Sequence, residues 1–105
     1  MNQMLADVPK ADGVIVNPTH SAIALSWSRQ AGAAPVVVAK GVDEIAARIR
    51  ETASDAKVAI HSDPPTARAI FATVEIGQEV LPEHYKPVAA AIRFADALRG
   101  KAKKT

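Results

Sequence analysis

The chain has 105 residues, enough for one small domain with a buried core. It contains no cysteine, which excludes disulfides and thiolate chemistry, and only four aromatic residues, so an aliphatic core is expected. The formal charge is +2, yet without the three lysines of the last five residues ten basic residues face eleven acidic ones, a net charge of −1. No apolar run approaches the roughly 18 residues of a membrane-spanning helix, so the chain as given is expected to be soluble.

The first part of the chain predicts a short helix and two strands joined by a turn. Residues 1–12 favour a helix that stops before Pro9, because the residue preceding proline disfavours the helical region. The β-branched run 14–16 is typical of a strand. Residues 21–27 alternate in polarity and size, which predicts a half-buried strand. The segment 17–20, with the letters NPTH, is then the turn between these two strands.

The next part predicts a β-α-β unit. Residues 35–40 are apolar on both faces, which favours a central strand, and 57–62 form a further short strand. Between them, 42–55 carry apolar residues at helical spacing. Two strands connected in this way should be parallel, with a right-handed crossover. The predicted buried stripe of this helix consists of Val42, Ile45, Ala46, Ile49 and Ala53.

Two further helices are predicted near the C-terminus. Asp63 is expected to cap the first, with Pro64 at the first helical position and the end at Gly77. Pro82 opens the second, whose regular part is expected over 87–98 because Pro87 interrupts helical hydrogen bonding. The predicted buried stripes are Ala67, Ile70, Phe71 and Val74 in the first helix, and Tyr85, Val88, Ile92 and Ala95 in the second.

These elements predict an α/β fold: a small mixed β-sheet of about four strands surrounded by about four helices. Three regions are expected along the chain. Residues 1–12 form an N-terminal linker helix, 13–99 a single α/β domain, and 100–105 a flexible basic tail.

The Asn17-Pro18 bond has a specific chemical possibility. The carboxamide nitrogen of Asn17 can attack its own backbone carbonyl carbon, closing a five-membered succinimide and expelling the nitrogen of Pro18. The commoner asparagine reaction, deamidation, needs a backbone N–H on the next residue, and proline has none. Ring closure held in the right geometry can lower a barrier by roughly 7–11 kcal/mol. Self-cleavage is therefore the reaction left open at this bond.

Two neighbours of the bond can assist this reaction. The imidazole of His20 can take a proton or steer a water, and the Thr19 hydroxyl can orient the amide or the leaving nitrogen. Asn-Pro is also an ordinary turn dipeptide, so the residues of the turn alone favour an inert corner. On this alternative the chain is a non-cleaving structural α/β protein-interaction module.

Three longer stretches carry a family resemblance: VIVNPTHSAIAL at 14–25, APVVVAKGVDEIAARIRE at 34–51 and DPPTARAIFATVEIGQEVLPEHYKPVAAAI at 63–92. Together they closely resemble the cytoplasmic domain of the FlhB/YscU family, the membrane-anchored switch proteins of flagellar and injectisome type III export machines. The resemblance runs in order from about residue 3 to 98, and the segment MLADVPKAD leans toward the flagellar branch. It departs at Ser21, where many relatives have an aromatic residue.

The resemblance implies a function. It implies single-turnover self-cleavage between Asn17 and Pro18, with Thr19 and His20 in the same motif, and control of which substrates are exported. The implied partners are other export-apparatus components, a hook- or needle-length ruler protein and export substrates. The implied location is the cytoplasmic face of the bacterial inner membrane, with the transmembrane region of the parent protein lying outside this chain.

Other kinds of site find little support in the sequence. His20, His61 and His84 lack zinc-type spacing, and His61 and His84 are interpreted as surface or strand-end residues, so no metal and no cofactor are expected. No nucleophile elbow or phosphate loop is present, so a turnover enzyme is not predicted. A weaker alternative is a nucleic-acid-binding domain that uses the basic tail. Because no aromatic platform accompanies the tail, nucleic acid is not an expected partner.

Two alanine-rich stretches suggest a docking patch for export substrates. AGAAP precedes the strand 35–40, and VAAAI begins the last helix. If that helix crosses the end of the strand, these stretches form one shallow apolar surface. The alternative is that the alanines only permit close packing of helix on sheet. The predicted patch consists of Ala34, Pro35, Ala89 and Ile92.

Overall fold

The structure is a computed structural model and describes residues 3–18 and 20–103. In chain order its elements are α1 (Gln3–Asp7), a 3₁₀ helix (Val8–Lys10), β1 (Gly13–Asn17), β2 (Ser21–Ser26), β3 (Val36–Val42), α2 (Asp43–Asp55), β4 (Ile60–Ser62), α3 (Pro64–Thr73), a second 3₁₀ helix (Pro82–His84) and α4 (Tyr85–Lys103).

The four strands form one mixed sheet in the order β3-β2-β1-β4. β1 is antiparallel to β2 and parallel to β4, and β2 is antiparallel to β3. The predicted fold class, a small mixed sheet with four helices around it, is confirmed. The strands of the β-α-β unit run in the same direction, as predicted, but β3 and β4 lie at opposite edges with β1 and β2 between them.

The centre of the sheet is the strand–turn–strand unit. All five residues of β1 and five of the six in β2 are buried, so β2 is not the half-buried strand that its alternation predicted. The physical reason is that helices cover both faces of the sheet. On one face Ala22 and Ala24 pack in a cluster with Ala46 and Ile49 of α2. On the other face, residues such as Ile23 and Leu25 pack against α3 and α4.

The prediction that 35–40 is a central strand is wrong, because β3 is an edge strand. Its apolar character has another cause, which is that Val37 packs in the cluster with α3 and α4 and Ala39 packs in the cluster with α2, on the two faces of the sheet. The segment 77–80 covers the beginning of its outer edge. Val37 donates its N–H to the carbonyl of Gln78 at 3.0 Å and accepts from Gly77 at 2.7 Å, and Val80 donates to Pro35 at 2.9 Å.

The helices follow the predictions with shifted ends. α2 spans Asp43–Asp55, within one residue of its predicted start, and Asp63 caps α3 by accepting the Thr66 N–H at 3.4 Å. α3 ends at Thr73 rather than at Gly77, which instead forms a turn with φ +93° that favours glycine. α4 continues through Lys103, beyond the predicted regular part of 87–98.

Four side chains lie in surroundings that differ from the predictions. Val42 belongs to β3 and is exposed, and Tyr85 at the start of α4 is 46% exposed, so neither joins a buried stripe. His84 is buried, and its Nδ1 accepts the Leu81 N–H at 3.3 Å. His61 is half-buried in β4 with its ring centroid 5.3 Å from that of Phe94.

Candidate functional site

The Asn17-Pro18 bond lies in a tight turn between the two central strands. Asn17 is the last residue of β1 and pairs with Ser21, the first residue of β2. The backbone N–H of His20 donates to the carbonyl oxygen of Asn17 at 2.9 Å, which closes a β-turn with Pro18 at its second position. The Asn17 carbonyl, which the carboxamide nitrogen would attack in self-cleavage, therefore already accepts a hydrogen bond.

Two further backbone hydrogen bonds hold this turn from outside. The N–H of Asp43, at the start of α2, donates to the carbonyl of His20 at 2.9 Å. The N–H of Asp63, before α3, donates to the carbonyl of Val16 at 3.0 Å. Asp43 has φ +49°, an unusual conformation for a residue other than glycine. The turn is therefore fixed by the β3–α2 junction on one side and by the β4–α3 junction on the other.

The Asn17 side chain is buried beside a cavity next to the turn. Asn17 is 9% exposed, and no hydrogen bond of its side chain is found in the described part of the chain. The residue lines a cavity of about 340 Å³ beside the turn. A buried amide that is not held elsewhere can reach the geometry of ring closure without first breaking a side-chain hydrogen bond.

The other predicted site residues of the turn have different positions. Pro18 is exposed at the corner, and His20 is exposed but lines the same cavity as Asn17. Thr19 lies outside the residues that the structure describes. The structure defines one contribution of His20, which is its backbone N–H. The sequence prediction concerned only the imidazole of this residue.

The four residues of the predicted docking patch line one groove of about 290 Å³ between the loop before β3 and the first turns of α4. Pro35 and Ala89 are half-buried, whereas Ala34 is 9% and Ile92 is 2% exposed. The last two therefore form the floor of the groove and are also part of the packed core. The groove is lined by Trp27, Gly32, Ala33, Ala34, Pro35, Tyr85, Ala89 and Ile92.

The aromatic walls of this groove were not predicted. Trp27 donates its Nε1–H to the carbonyl of Ala33 at 3.0 Å, and Tyr85 lines the groove from the start of α4. Arg29 lies 5.1 Å from the centroid of the Trp27 ring and pairs with Asp12 at 3.3 Å and Asp96 at 3.0 Å. The hydrogen bonds that Arg29 donates to Asp96 and then to Asp12 raise the pKa of Arg29. The position of Trp27, the last residue of the predicted strand 21–27 and close in sequence to AGAAP, was the signal that could have indicated this wall.

Over residues 3–18 and 20–103, no three His, Cys, Asp or Glu side chains come together in a way that could hold a metal ion. In the same part of the chain, no helix is long and apolar enough to cross a bilayer.

The fold and the turn together define a class of protein: cytoplasmic domains of the type III export apparatus, as the sequence motifs predicted. A sequence model described as "FlhB HrpN YscU SpaS Family" matches residues 1–95, so the chain belongs to the FlhB/YscU family. The flagellar biosynthetic protein FlhB of Aquifex aeolicus is 46% identical over 93 residues, which cover 89% of this chain and 27% of that protein. FlhB of Salmonella typhimurium is 41% identical over 97 residues, covering 92% and 25%.

Solved structures agree with this assignment. The cytoplasmic domain of FlhB from Shewanella putrefaciens superposes with a TM-score of 0.89 at 40% identity, covering 99% of this chain and 84% of that one. A mutated EscU C-terminal domain gives 0.84 at 27% identity, covering 90% and 95%. The higher identity to FlhB supports the flagellar branch. The chain spans about a quarter of the length of the curated relatives it matches.

Proposed function

We propose that this chain is an autocleaving switch domain of a flagellar-type export apparatus, which cuts its own Asn17-Pro18 bond and thereby controls which substrates are exported. The observation that carries the proposal is the turn itself. It presents a buried asparagine, unheld by side-chain hydrogen bonds among the described residues, next to a carbonyl that accepts the His20 N–H at 2.9 Å.

The proposed reaction proceeds in two steps. The Asn17 Nδ2 forms a bond to the backbone carbonyl carbon of Asn17, and the peptide bond to Pro18 breaks. One proton lost from Nδ2 reaches the proline nitrogen, which leaves as a secondary amine. Water then opens the succinimide ring, leaving one carboxylate and one carboxamide on residue 17. The overall change is hydrolysis of one peptide bond by one water, without a cofactor.

The backbone of His20 supports the first step. Negative charge develops on the carbonyl oxygen of Asn17 as the ring closes, and the His20 N–H already points at that oxygen. A preorganised donor of this kind stabilises the transition state because it needs no reorganisation during the reaction. Pro18 blocks the competing deamidation, since its nitrogen carries no hydrogen.

The solved EscU structures add support through the residues that are substituted in them. The solved EscU C-terminal domains include variants in which an asparagine is changed to Ala or Asp, and one in which the proline directly after that asparagine is changed to Ala. Such substitutions mark an Asn-Pro pair in EscU as a site of interest. As part of the proposal, we assign the same importance to the Asn17-Pro18 pair of this chain.

The fold is expected to survive the cut. β1 stays paired with β2 through residues 13–17 and with β4 through residues 14–16, and its five residues are buried. Breaking one bond in the turn leaves these contacts in place, so the two pieces remain associated. The cut changes the mobility and charge of the turn, which we propose a ruler protein and later substrates recognise.

The first test is the mass of the purified chain under denaturing conditions. We expect two components, residues 1–17 and 18–105, which elute together from a native sizing column and separate only in denaturant. A chain that keeps its full mass after long incubation at neutral to mildly alkaline pH contradicts self-cleavage. It leaves the inert-turn interaction module as the function.

A second prediction separates the backbone of His20 from its imidazole. His20→Ala keeps the backbone donor, so we expect cleavage to continue, slowed less than about tenfold and with an altered pH profile. Loss of an essential general base would cost about 10²–10⁴-fold. Timed denaturing gels of freshly refolded protein measure the rate. A His20→Ala chain as inert as one without Asn17 would make the imidazole an obligatory base.

We further propose that the groove beside α4 docks early export substrates through a short apolar segment. Its walls are Trp27 and Tyr85, its rim includes Pro35 and Ala89, and its lining is almost wholly apolar. On this proposal the domain works at the cytoplasmic face of the inner membrane, next to other components of the export apparatus.

A third prediction tests this groove. Ala89 is half-buried at the groove, so Ala89→Asp should weaken export of early substrates with unchanged melting temperature and self-cleavage. Ala90→Asp is the matched control, because Ala90 is exposed on α4 and is not among the lining residues. Ala34→Asp is a poorer probe, since Ala34 is nearly buried and its N–H donates to Glu79 at 3.3 Å. A destabilised Ala89→Asp domain would assign this alanine to packing.

A further inference from the structure

The cavity beside the turn contains polar groups that the cleavage reaction leaves unused. It has a volume of about 340 Å³ and is lined by Asn17, His20, Ser21, Val42, Arg68 and Phe71. Asn17 and His20 take part in the proposed reaction, whereas Ser21 and Arg68 have no role in it. None of these lining residues carries a carboxylate.

Ser21 contributes a buried hydroxyl to this cavity. The residue is 4% exposed, and its Oγ finds no hydrogen bond among the described residues. Buried polar atoms are nearly always hydrogen-bonded, so an exception needs an explanation. Ser21 is also paired with Asn17 across β1 and β2. Its side chain therefore lies opposite the residue whose peptide bond is proposed to break.

Arg68 contributes a positive charge to the lining of the cavity. It lies in α3, is exposed, and takes part in none of the ion pairs found over residues 3–18 and 20–103. The neighbouring cation, Lys40, is already engaged, because its Nζ donates to the carbonyl of Phe71 at 3.0 Å and lies 3.6 Å from Glu75. A guanidinium presents a planar fork of N–H donors that matches a carboxylate.

We infer that this cavity is a carboxylate site, and that its ligand is the carboxylate formed on residue 17 by the cut. The Ser21 hydroxyl donates to this carboxylate and Arg68 pairs with it. The inference rests on the proposed self-cleavage for its ligand. Whichever carbonyl of the succinimide water attacks, the product on residue 17 is one carboxylate and one carboxamide, so a carboxylate always forms beside the cavity.

Such a site explains how the cut chain can remain folded. Asn17 is 9% exposed, and an ionised group formed at so buried a position is costly unless it is paired and hydrogen-bonded. The Ser21 hydroxyl supplies the hydrogen bond, and the Arg68 guanidinium supplies the opposite charge. They would hold the end of the 1–17 piece in place and so set how readily it leaves the rest of the domain.

The test uses Asn17→Asp as an uncut chain that already carries a carboxylate at residue 17, with Asn17→Ala as the neutral reference. Arg68→Met is added to each, and the unfolding constant is measured in urea as a double-mutant cycle. In the Asn17→Asp chain we expect Arg68→Met to raise the unfolding constant about three- to fivefold, the size of an exposed ion pair. In the Asn17→Ala chain we expect less than about a twofold change. High salt should remove the difference.

Ser21→Ala gives an effect of opposite sign in the two chains. In Asn17→Ala it removes a buried hydroxyl that has no hydrogen bond among the described residues, so the unfolding constant should fall. In Asn17→Asp it removes a donor to the carboxylate, so the constant should rise. In the cut wild-type protein, both Arg68→Met and Ser21→Ala should speed the release of residues 1–17 on dilution. Arg48→Met, at an exposed position of α2 outside the cavity lining, is the control and should change none of these.

Equal effects of Arg68→Met in the Asn17→Asp and Asn17→Ala chains would overturn the carboxylate site, whether or not the wild type cuts itself. A wild-type chain that never cuts, combined with coupling between residues 17 and 68 in the Asn17→Asp chain, overturns self-cleavage. It still supports a carboxylate-binding cavity. The two proposals can therefore fail separately.

Discussion

Asn17→Ala is expected to leave the chain entirely uncut, with a single component of full mass under conditions in which the wild type separates into residues 1–17 and 18–105. Alanine has no nitrogen to attack the backbone carbonyl, and the turn offers no second route. The effect is all or none because holding an attacking group in place accounts for roughly 7–11 kcal/mol of barrier lowering. Denaturing mass spectrometry of protein incubated for the same time measures it.

The uncut variant should still fold. The Asn17 side chain makes no hydrogen bond in the described part of the chain, so its removal should change the free energy of unfolding little. Asn17→Gln is the sharper chemical control, because it keeps a carboxamide but would need a larger ring. It too should stay uncut. Gln30→Ala removes an exposed amide elsewhere and should cut at the wild-type rate.

A cellular readout tests the consequence of the cut. If cleavage sets the export switch, cells carrying Asn17→Ala should continue to export early substrates and fail to change to later ones. Normal switching by a demonstrably uncut protein would separate self-cleavage from the control of specificity. A cut product appearing in the Asn17→Ala chain would show that some other group attacks this bond.

The turn shows how far local sequence can predict a site. The β-branched run before Asn17, Pro18 at the corner and the alternation after Ser21 are local signals, and they predicted the strand–turn–strand unit correctly. The hydrogen bonds that hold the turn could not be predicted in this way. They come from Asp43 and Asp63, whose positions depend on how β3 and β4 are arranged around the central strands.

The groove was also predicted only in part. Apolar composition predicted that the two alanine-rich stretches meet, and the structure brings Ala34 and Ala89 into one groove. Composition could not predict which side chains form the walls. Tyr85 fits a helical buried stripe by spacing, but it is the first residue of α4, so it forms a wall of the groove and remains 46% exposed.

The β3–α2 junction connects the stability of the domain to its proposed chemistry. Gly41 is buried in β3 and pairs with Ala22 of β2, and the side chain of Ile45 from the first turn of α2 packs directly over it. A Cβ placed on Gly41 would lie 2.7 Å from the Cβ of Ile45 and would contact its Cγ2 as well. Because Ile45 Cβ is fixed to the helix backbone, a side-chain rotation cannot relieve this clash, and α2 has to move.

Gly41→Ala is therefore expected to destabilise the domain by about 1–3 kcal/mol, the usual cost of overpacking a core. Gly13→Ala is the matched control, because Gly13 is also a buried strand residue and a Cβ there would only reach ordinary contact, 3.7 Å from the Cβ of Ala95. Urea unfolding in the Asn17→Ala background, where no chain is cut, measures both. Equal stability of the two variants would contradict the packing argument.

The same substitution should also slow self-cleavage in the wild-type background. Movement of the start of α2 displaces the Asp43 N–H from the carbonyl of His20, and the turn then holds the Asn17 carbonyl less firmly. The rate should be compared at low temperature, where most Gly41→Ala molecules are folded, so that unfolding does not account for the loss. A destabilised Gly41→Ala domain that cuts at the wild-type rate would show that the Asp43 contact is structural only. A slowed rate in folded molecules would mean that the β3–α2 junction, more than twenty residues along the chain from the bond, helps to set the geometry in which it breaks.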